Sequence, residues 1–322
     1  MFDTPFLLLI FNRPDNTKQV FEAIKKAKPK QLYIAADGPR EGKEGEMELC
    51  LQARLIATEV NWDCEVKTLF RDNNLGCKFA VSSGINWFFE QVEQGIILED
   101  DCIPNHDFFG YCTQLLSYYK RDPRIMMICG TNYLPAESSD GMEHSYFFSN
   151  YYPIWGWATW KRAWDLYDVE MKSWDAFKET RQLFYQFSNP KISSHYEYMF
   201  DLIKNGFDTW DIQWWYTCIF QSGLAITPKY NLISNIGIVG THTSTQGNYS
   251  INMPTHSMDY KNLIHPQFVF ADKYLNEMTY KKSHAQIDVE ENISGHATSN
   301  NLVKVSPLKY IVKGILRRLL KK

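Results

Sequence analysis

A short apolar run that ends in three consecutive carboxylates is the feature that most constrains this chain. Residues 95–98 are Gly-Ile-Ile-Leu, without alternation of polar and apolar side chains, and Glu99, Asp100 and Asp101 follow directly. Such a run is typical of a strand buried on both faces, as in a parallel sheet covered by helices. Three adjacent acids would repel one another unless a cation neutralises them, and hard oxygen ligands on one turn suit Mg²⁺ or Mn²⁺. Alternatively, the acids cap the helix that follows.

Strand and helix patterns alternate through the first half of the chain. The predicted strands and helices are, in order, 5–11, 16–27, 32–36, 44–59, 65–70, 74–89, 95–98, 108–119 and 125–129. This alternation predicts an α/β fold with a mostly parallel central sheet and helices on both faces. Ligands of such sheets bind beyond the carboxyl ends of the strands. Because polar residues fall at several of these ends, we expect one site there, formed by Asn12, Arg13, Asp37, Arg71, Glu99, Asp100 and Asp101.

Charge and cysteine content narrow the class of protein. The net charge of −3 gives no reason to expect a nucleic-acid partner. Seven scattered cysteines, without a C-x-x-C pair, indicate a reduced environment with neither a disulfide framework nor a zinc site. No signal-peptide pattern and no apolar stretch long enough to span a bilayer is evident, so we expect a cytoplasmic protein.

Tryptophan is concentrated in the second half of the chain. Eight of the ten tryptophans lie between Trp155 and Trp215. Aromatic residues at this density can be ordinary core. Alternatively, some rings face a pocket and pack on the apolar faces of sugar rings. Trp155, Gly156 and Trp157 are the candidates for that role, because glycine lets a ligand approach the backbone closely.

The C-terminal segment has a different character. Residues 276–303 are polar and predict a linker. Residues 304–322 predict a basic amphipathic helix, since seven Lys or Arg and no acid follow Val303. Such a helix is typical of segments that lie on an anionic membrane surface. A helix docked on the body of the protein or on a partner is the alternative.

Four features, in order, resemble the GT-A class of nucleotide-sugar glycosyltransferases. They are the polar turn Phe11-Asn12-Arg13, Asp37 after the second strand, the helix opening Asp72-Asn73-Asn74-Leu75-Gly76 before the acidic triplet, and the late His242. The Glu-Asp-Asp form and a later Trp-Asp are most similar to the N-acetylglucosaminyltransferase I-like group and its bacterial relatives, over roughly residues 4–245. The resemblance implies a Rossmann-like GT-A catalytic domain over 1–275. Residues 1–135 would bind the nucleotide and 136–275 the acceptor.

The resemblance also implies roles for individual side chains. Asp37 would accept from a uridine-type base, Asp100 would hold the ribose, and Asp101 would bind the metal that bridges the phosphates. His242 would complete the metal shell of Mn²⁺ or Mg²⁺, and Glu99 would reach the donor sugar or support its loop. The remaining donor-site residues are Asn12, Arg13, Arg71, Gly76 and Lys78. Alternatively, Asp37 only forms a turn, and His242 and the cations lie on the solvated surface.

The catalytic base of an inverting transferase takes the proton of the acceptor hydroxyl. Asp208 and Asp211 lie among aromatic residues, where burial raises the pKa of a carboxyl group toward a useful value. The Trp-Asp alignment favours Asp211. Because Ile212 stands where the relative has a second acid, Asp208 remains an alternative, and either residue could instead cap a helix.

These observations predict an inverting, metal-dependent glycosyltransferase of the hexosyltransferase type. We expect a nucleotide-diphosphate-sugar donor, with UDP favoured by the resemblance, and a glycan or lipid-linked acceptor in surface polysaccharide synthesis. The basic C-terminal helix would hold the enzyme on the inner face of the cell membrane. The alternatives are a sugar-nucleotide nucleotidyltransferase, whose Gly-rich basic N-terminal signature this chain lacks, and a non-catalytic carbohydrate-binding protein.

Overall fold

The computed structural model describes residues 1–187, 189–237 and 252–283 of the chain. His242 and the predicted amphipathic helix at 304–322 lie outside these residues, as does most of the predicted linker at 276–303. Within the described ranges the fold is mixed α/β, and helices pack on both faces of one large sheet.

The central sheet has eight strands, and two short strands form a second sheet. The strands are, in chain order, β1 (Phe6–Ile10), β2 (Gln31–Ala36), β3 (Glu65–Phe70), β4 (Gln94–Glu99), β5 (Cys102–Pro104), β6 (Ile125–Cys129), β7 (Tyr146–Ser149), β8 (Trp157–Trp160), β9 (Leu224–Pro228) and β10 (Ile233–Asn235). The α-helices of the same residues are α1 (Pro14–Ala27), α2 (Glu46–Thr58), α3 (Gly76–Phe89), α4 (His106–Tyr118), α5 (Lys161–Trp164), α6 (Trp174–Glu179), α7 (Gln182–Gln186), α8 (Pro190–Lys204), α9 (Asp211–Phe220) and α10 (Lys273–Ser283).

The strand order of the central sheet is β3-β2-β1-β4-β8-β6-β9-β7. The first four strands in this order are parallel, and so are β6 and β9, whereas β8 and β7 are antiparallel to their neighbours. The prediction of a mostly parallel sheet is therefore confirmed. The carboxyl ends of β1, β2 and β4 meet at one edge, where the sequence predicts a ligand site.

The first half of the chain folds as its apolar pattern predicts. The predicted strands and helices up to Cys129 begin and end within about two residues of the observed ones. Every residue of β1 is buried, as expected for a strand covered on both faces. Leu8 and Ile10 pack in the core under α1, α2 and α4, whereas Leu7 and Leu9 pack in the core under α3.

Most of the tryptophan-rich region is core. Trp157 is only 1% exposed and stacks on Trp210, with the ring centroids 5.7 Å apart. Trp160 is also buried, and its indole N–H donates to the Leu116 carbonyl oxygen at 3.0 Å. Trp157 and Trp160 are the first and last residues of β8, and β8 is inserted between β4 and β6. The pairing partners are distant in sequence, so the local pattern does not predict this strand.

The small sheet brings the acidic turn next to a later part of the chain. β5 directly follows the turn and pairs antiparallel with β10. The Ile236 N–H then donates to the Asp101 carbonyl oxygen at 2.8 Å. A Cβ atom on Gly237 would lie 2.5 Å from Asp101 Oδ2. The backbone after β10 therefore approaches the acidic turn as closely as only glycine permits.

The last described segment is helical. Helix α10 covers 273–283, so the first residues of the predicted linker form a helix instead. Leu275 and Tyr280 of this helix are buried. Among the described residues, no helix is both long and apolar enough to cross a bilayer.

Candidate functional site

A cleft of about 1010 Å³ opens at the carboxyl ends of β1, β2 and β4. Its volume is in the upper range of ligand sites, so it can hold a ligand larger than a single sugar. The residues predicted from sequence that line it are Asn12, Arg13, Asp37, Arg71, Gly76, Glu99, Asp100, Asp101, Trp155, Asp208 and Asp211. The fold thus brings residues from most of the chain into one cavity.

Arg13 partly neutralises the acidic turn within the described structure. Its guanidinium forms an ion pair with Asp100 and a second one with Asp101 Oδ2, at 2.9 Å. Burial alone would lower the pKa of Arg13, but the two carboxylates outweigh that effect and raise it. Burial raises the pKa of Asp100 to about 6, although Arg13 and the Phe11 N–H oppose the change. Arg13, in the turn after β1, therefore supplies part of the positive charge that these acids require.

Glu99 is the third acid of the turn and has a different environment. Among the described residues, none makes a hydrogen bond or ion pair with its carboxyl group. Burial raises the pKa of Glu99 well above its usual range, and the charges of Asp101 and Asp211 raise it further. A cation in the cleft would favour the charged form of this carboxyl group.

The donor atoms of the turn fit a hard divalent cation. Asp101 offers a carboxylate, but its Oδ2 atom contacts Arg13 and its Oδ1 atom contacts the Cys102 Sγ at 3.3 Å. Within the described ranges, no three His, Cys, Asp or Glu side chains are grouped so as to hold a metal by themselves. Mg²⁺ commonly binds one or two carboxylates together with substrate phosphates. Asp101 and the half-buried Glu99 are the carboxylates that would make that smaller protein contribution.

Asp37 organises the turn at the end of β2. Its carboxylate accepts the backbone N–H groups of Gly38 at 2.9 Å and Leu75 at 3.0 Å, and the Asn74 amide at 2.8 Å. A Cβ atom on Gly38 would lie 2.4 Å from the Asn73 backbone, so the two turns are in tight contact. Burial raises the pKa of Asp37 against the opposing effect of these hydrogen bonds. Asp37 therefore forms a turn, as the alternative interpretation predicted, and it also lines the cleft.

Two supporting residues at this edge are absent from the sequence prediction. Glu46, at the start of α2, accepts a hydrogen bond from the Asn12 amide at 2.9 Å and pairs with Arg40. Arg54 donates to the carbonyl oxygens of Asp37 at 3.1 Å and Arg71 at 2.6 Å. Glutamate in a first helical turn and arginine in a helix are too common to single these residues out.

The two predicted cations near α3 differ. Arg71 lines the cleft, and its guanidinium donates to the Ser83 hydroxyl at 2.7 Å. Lys78 does not line the cleft, because its ammonium pairs with Glu170 at 3.1 Å. The structure therefore does not bring the Lys78 charge to the predicted donor site.

Asp208 caps the N-terminus of α3. Its carboxylate accepts the backbone N–H groups of Cys77 at 3.0 Å and Lys78 at 2.8 Å. Gly76 has φ +76°, and a Cβ atom there would lie 2.7 Å from Asp208 Oδ2. Glycine is thus required at this position for both backbone conformation and space. Asp208 is therefore a helix cap, as the alternative interpretation predicted. Each of its carboxylate oxygens accepts a hydrogen bond from a backbone N–H of α3.

Asp211 lies at the start of α9 on a rigid support. The Thr209 hydroxyl makes a hydrogen bond with its Oδ1 atom, and the Thr209 carbonyl oxygen accepts from the buried Gln213 amide at 2.7 Å. Trp210 is held by the Tyr167 hydroxyl, which donates to its carbonyl oxygen at 2.9 Å. Asp211 therefore lines the cleft from a well-packed helix start.

Only part of the predicted acceptor site faces the cleft. Trp155 lines it, and its ring meets Tyr133 edge-on with the centroids 5.5 Å apart. Gly156 has φ +59°, and a Cβ atom there would lie 2.4 Å from Ile233. Trp157 is in the core, so its ring cannot contact a ligand. Gly156 is needed for packing, and Trp155 is the ring available to a substrate.

The chain has only weak similarity to known proteins. No protein-family model matches the chain, and no curated protein matches it. Solved structures that resemble it include mouse xyloside xylosyltransferase 1 in the apo form, with a TM-score of 0.31 and 11% identity over 68% of this chain and 81% of that one. HddC from Yersinia pseudotuberculosis gives a TM-score of 0.25 and 8% identity over 39% of this chain, and the match spans 56% of the length of HddC. At these values the residues of the cleft, rather than the neighbours, carry the argument about function.

Proposed function

We propose that this chain is a glycosyltransferase that moves a sugar from a nucleotide-diphosphate donor to an acceptor hydroxyl with inversion. One observation carries the proposal: the acidic turn and a separately supported carboxylate, Asp211, line the same large cleft. This arrangement provides distinct positions for a diphosphate and for a general base. The resemblance favours a UDP-sugar donor and a glycan or lipid-linked acceptor.

The donor diphosphate would lie near Arg13 and Arg71, since both cations line the cleft beside the acids. Arg13 can exchange Asp101 for a phosphate because its fork geometry suits either anion. A bound Mn²⁺ or Mg²⁺, held by Asp101 with Glu99 and, as the resemblance implies, His242, would stabilise the charge on the departing diphosphate. Asp37 and its ordered turn would close the nucleotide end of the cleft.

Asp211 is the proposed base. Its carboxylate takes the acceptor hydroxyl proton while the oxygen attacks the anomeric carbon from the side opposite the diphosphate. The bond from that carbon to the phosphate oxygen breaks, and its electron pair leaves with the diphosphate. Asp208 is unsuited to this role because two backbone N–H groups already occupy its oxygens.

Trp155 would position the acceptor by packing against a sugar ring. Because a flat indole offers contact area at low cost in side-chain entropy, it suits a glycan substrate. Residues 304–322 would bring the enzyme to the inner face of the membrane, where a lipid-linked acceptor presents its hydroxyl. In that setting the reaction serves surface polysaccharide synthesis.

The test is a panel of nucleotide sugars with Mn²⁺ or with EDTA, read as release of the nucleoside diphosphate. We expect release with one donor class in the presence of metal. Asp211→Asn should abolish transfer and leave donor affinity nearly unchanged by calorimetry, and Asp175→Asn, an exposed carboxylate of α6, is the matched control. Full activity of Asp211→Asn would exclude it as the base. Pyrophosphate release from a nucleoside triphosphate and a sugar phosphate would instead indicate a nucleotidyltransferase.

A further inference from the structure

Residues 264–274, here termed the strap, run along β7 at the edge of the central sheet. The Ser145 N–H donates to the Ile264 carbonyl oxygen at 2.9 Å, and the Asp272 N–H donates to the Phe148 carbonyl oxygen, also at 2.9 Å. Ala271 forms a parallel bridge with Phe148. The strap is therefore fixed to the sheet at both ends and covers part of an edge strand.

The strap presents large apolar side chains to solvent. Phe268 is 73% exposed and Phe270 is 69% exposed, whereas Val269 between them packs against the core. Ile264 and Tyr274 are also exposed, at 57% and 73%. Large apolar side chains grouped in this way on a surface usually mark a binding site.

His265 joins the strap to α4. Its Nδ1 atom hydrogen-bonds with the Tyr146 hydroxyl at 2.7 Å, and its ring stacks on Tyr118 with the centroids 4.0 Å apart. Tyr118 is itself 61% exposed. The exposed rings therefore lie on a preformed surface that does not need to rearrange to bind.

Cations without acidic partners flank these rings. These cations are Lys120, Arg121, Lys261 and Lys273. Within the described ranges, none of the four forms a salt bridge. Of the nearby acids, Asp122 pairs with Arg124, whereas Asp259 and Asp272 accept backbone N–H groups and keep their negative charge. A shallow depression of about 540 Å³, lined by Arg121, Arg124 and the strap, lies beside Tyr118. Of the charged residues named here, five are basic and three are acidic, which leaves an excess of positive charge beside the aromatic residues.

We propose that the strap is a membrane-interface surface for anionic phospholipids. Phe268 and Phe270 enter the boundary between headgroups and acyl chains, and the flanking cations contact the lipid phosphates. Aromatic rings beside Lys and Arg are the combination that favours this boundary. A two-fold contact between copies of the chain is disfavoured, because it would place the same unpaired cations against one another. The surface consists of residues other than 304–322, and the proposal does not rest on the proposed transfer reaction.

Hydrogen–deuterium exchange of the full chain tests the proposal at the strap itself. We expect peptides within 262–274 to be protected by vesicles that contain phosphatidylglycerol, and less so by phosphatidylcholine alone. Peptides from α8, which carries the exposed Tyr198, should not change and serve as the internal control. This measurement locates the contact, so binding of residues 304–322 to the same vesicles does not alter its outcome.

The double variant Phe268→Ser/Phe270→Ser should raise the vesicle concentration that half-protects the strap about tenfold, because two apolar side chains no longer enter the boundary. Tyr185→Ser/Tyr198→Ser is the matched control and should behave as the unaltered chain. Absence of vesicle-induced protection in the unaltered chain would overturn the proposal. Protection that rises with protein concentration without lipid would indicate a second copy, and constant protection would indicate coverage by another part of the same chain; either result would also overturn it.

Discussion

The contact between Gly76 and Asp208 makes a stability prediction that can be worked out from the structure. In Gly76→Ala, the new methyl group would lie 2.7 Å from Asp208 Oδ2, which is too close for both atoms to remain in place. The backbone at φ +76° adds about 1–2 kcal/mol of strain for any residue with a Cβ atom. Displacing the carboxylate removes its two hydrogen bonds to the start of α3. Those bonds contribute about 1–2 kcal/mol, as for other helix caps. We therefore expect Gly76→Ala to lower the free energy of unfolding by about 2–4 kcal/mol.

A double-mutant cycle isolates the contact. Asp208→Ala alone should cost about 1–2 kcal/mol, since it removes the cap and leaves the backbone relaxed. In the Asp208→Ala background, Gly76→Ala should cost only the backbone strain, because no carboxylate remains to be displaced. The two changes should thus be less than additive by about 1–2 kcal/mol. Urea denaturation of the unaltered chain, the two single variants and the double variant gives the free energy of unfolding of each protein.

Additivity of the two changes within about 0.5 kcal/mol would show that the carboxylate and the glycine do not share a contact, and would refute the reasoning.

The transfer activity of the same variants provides a second test. Because Asp208 is assigned to the helix and not to the reaction, Asp208→Ala should retain substantial transfer at a temperature where it is folded. Complete loss of transfer in a folded Asp208→Ala protein would return Asp208 to the candidates for the base.

The pKa of Glu46 is lowered to about 2 by its hydrogen bonds with Arg40, from a usual value of 4.5. The contribution of the ionised Glu46 to the free energy of unfolding is complete above pH 4.5 and is lost as the pH falls toward 2. The pKa shift sets an upper limit of about 3 kcal/mol for this contribution. Because Arg40 is partly exposed, we expect about 1–2 kcal/mol. Glu46→Gln should thus lower the melting temperature at pH 7 and have a smaller effect at pH 3. Trp157→Ala should destabilise the protein by about 3–5 kcal/mol, as measured by denaturation, whereas Trp155→Ala should mainly raise the KM for the acceptor. EDTA should abolish transfer and added Mn²⁺ should restore it; activity in EDTA equal to that with metal would contradict the proposed role of the cation.

Local signals were sufficient for the first half of the fold. Strands β1, β2 and β4 are apolar runs that end at polar turns such as Asn-Arg-Pro and Asp-Gly-Pro, and helices separate them. Burial on both faces leaves a strong pattern in the sequence, and the chain order determines which strands are parallel. The position of the cleft then follows, because the carboxyl ends of these strands lie together.

Contacts between distant residues were not predictable in this way. Asp208 reaches the start of α3 from a position 130 residues later in the chain, and no local pattern indicates that pairing. The same holds for Trp157, whose aromatic neighbours come from α5 and α9. Arg13 lines the cleft as predicted, but its ion pairs with Asp100 and Asp101 were not predicted, since the sequence does not show which acids a cation at a cleft contacts.

The ion pairs of Arg13 affect the electrostatic attraction between the cleft and an approaching anion. The group formed by one guanidinium and two carboxylates has a net negative charge, so long-range attraction of a dianion falls to other basic groups at the rim. We therefore expect association rates that depend only weakly on ionic strength. Selectivity for a diphosphate would instead arise after encounter, when Arg13 exchanges a carboxylate for a phosphate of the ligand.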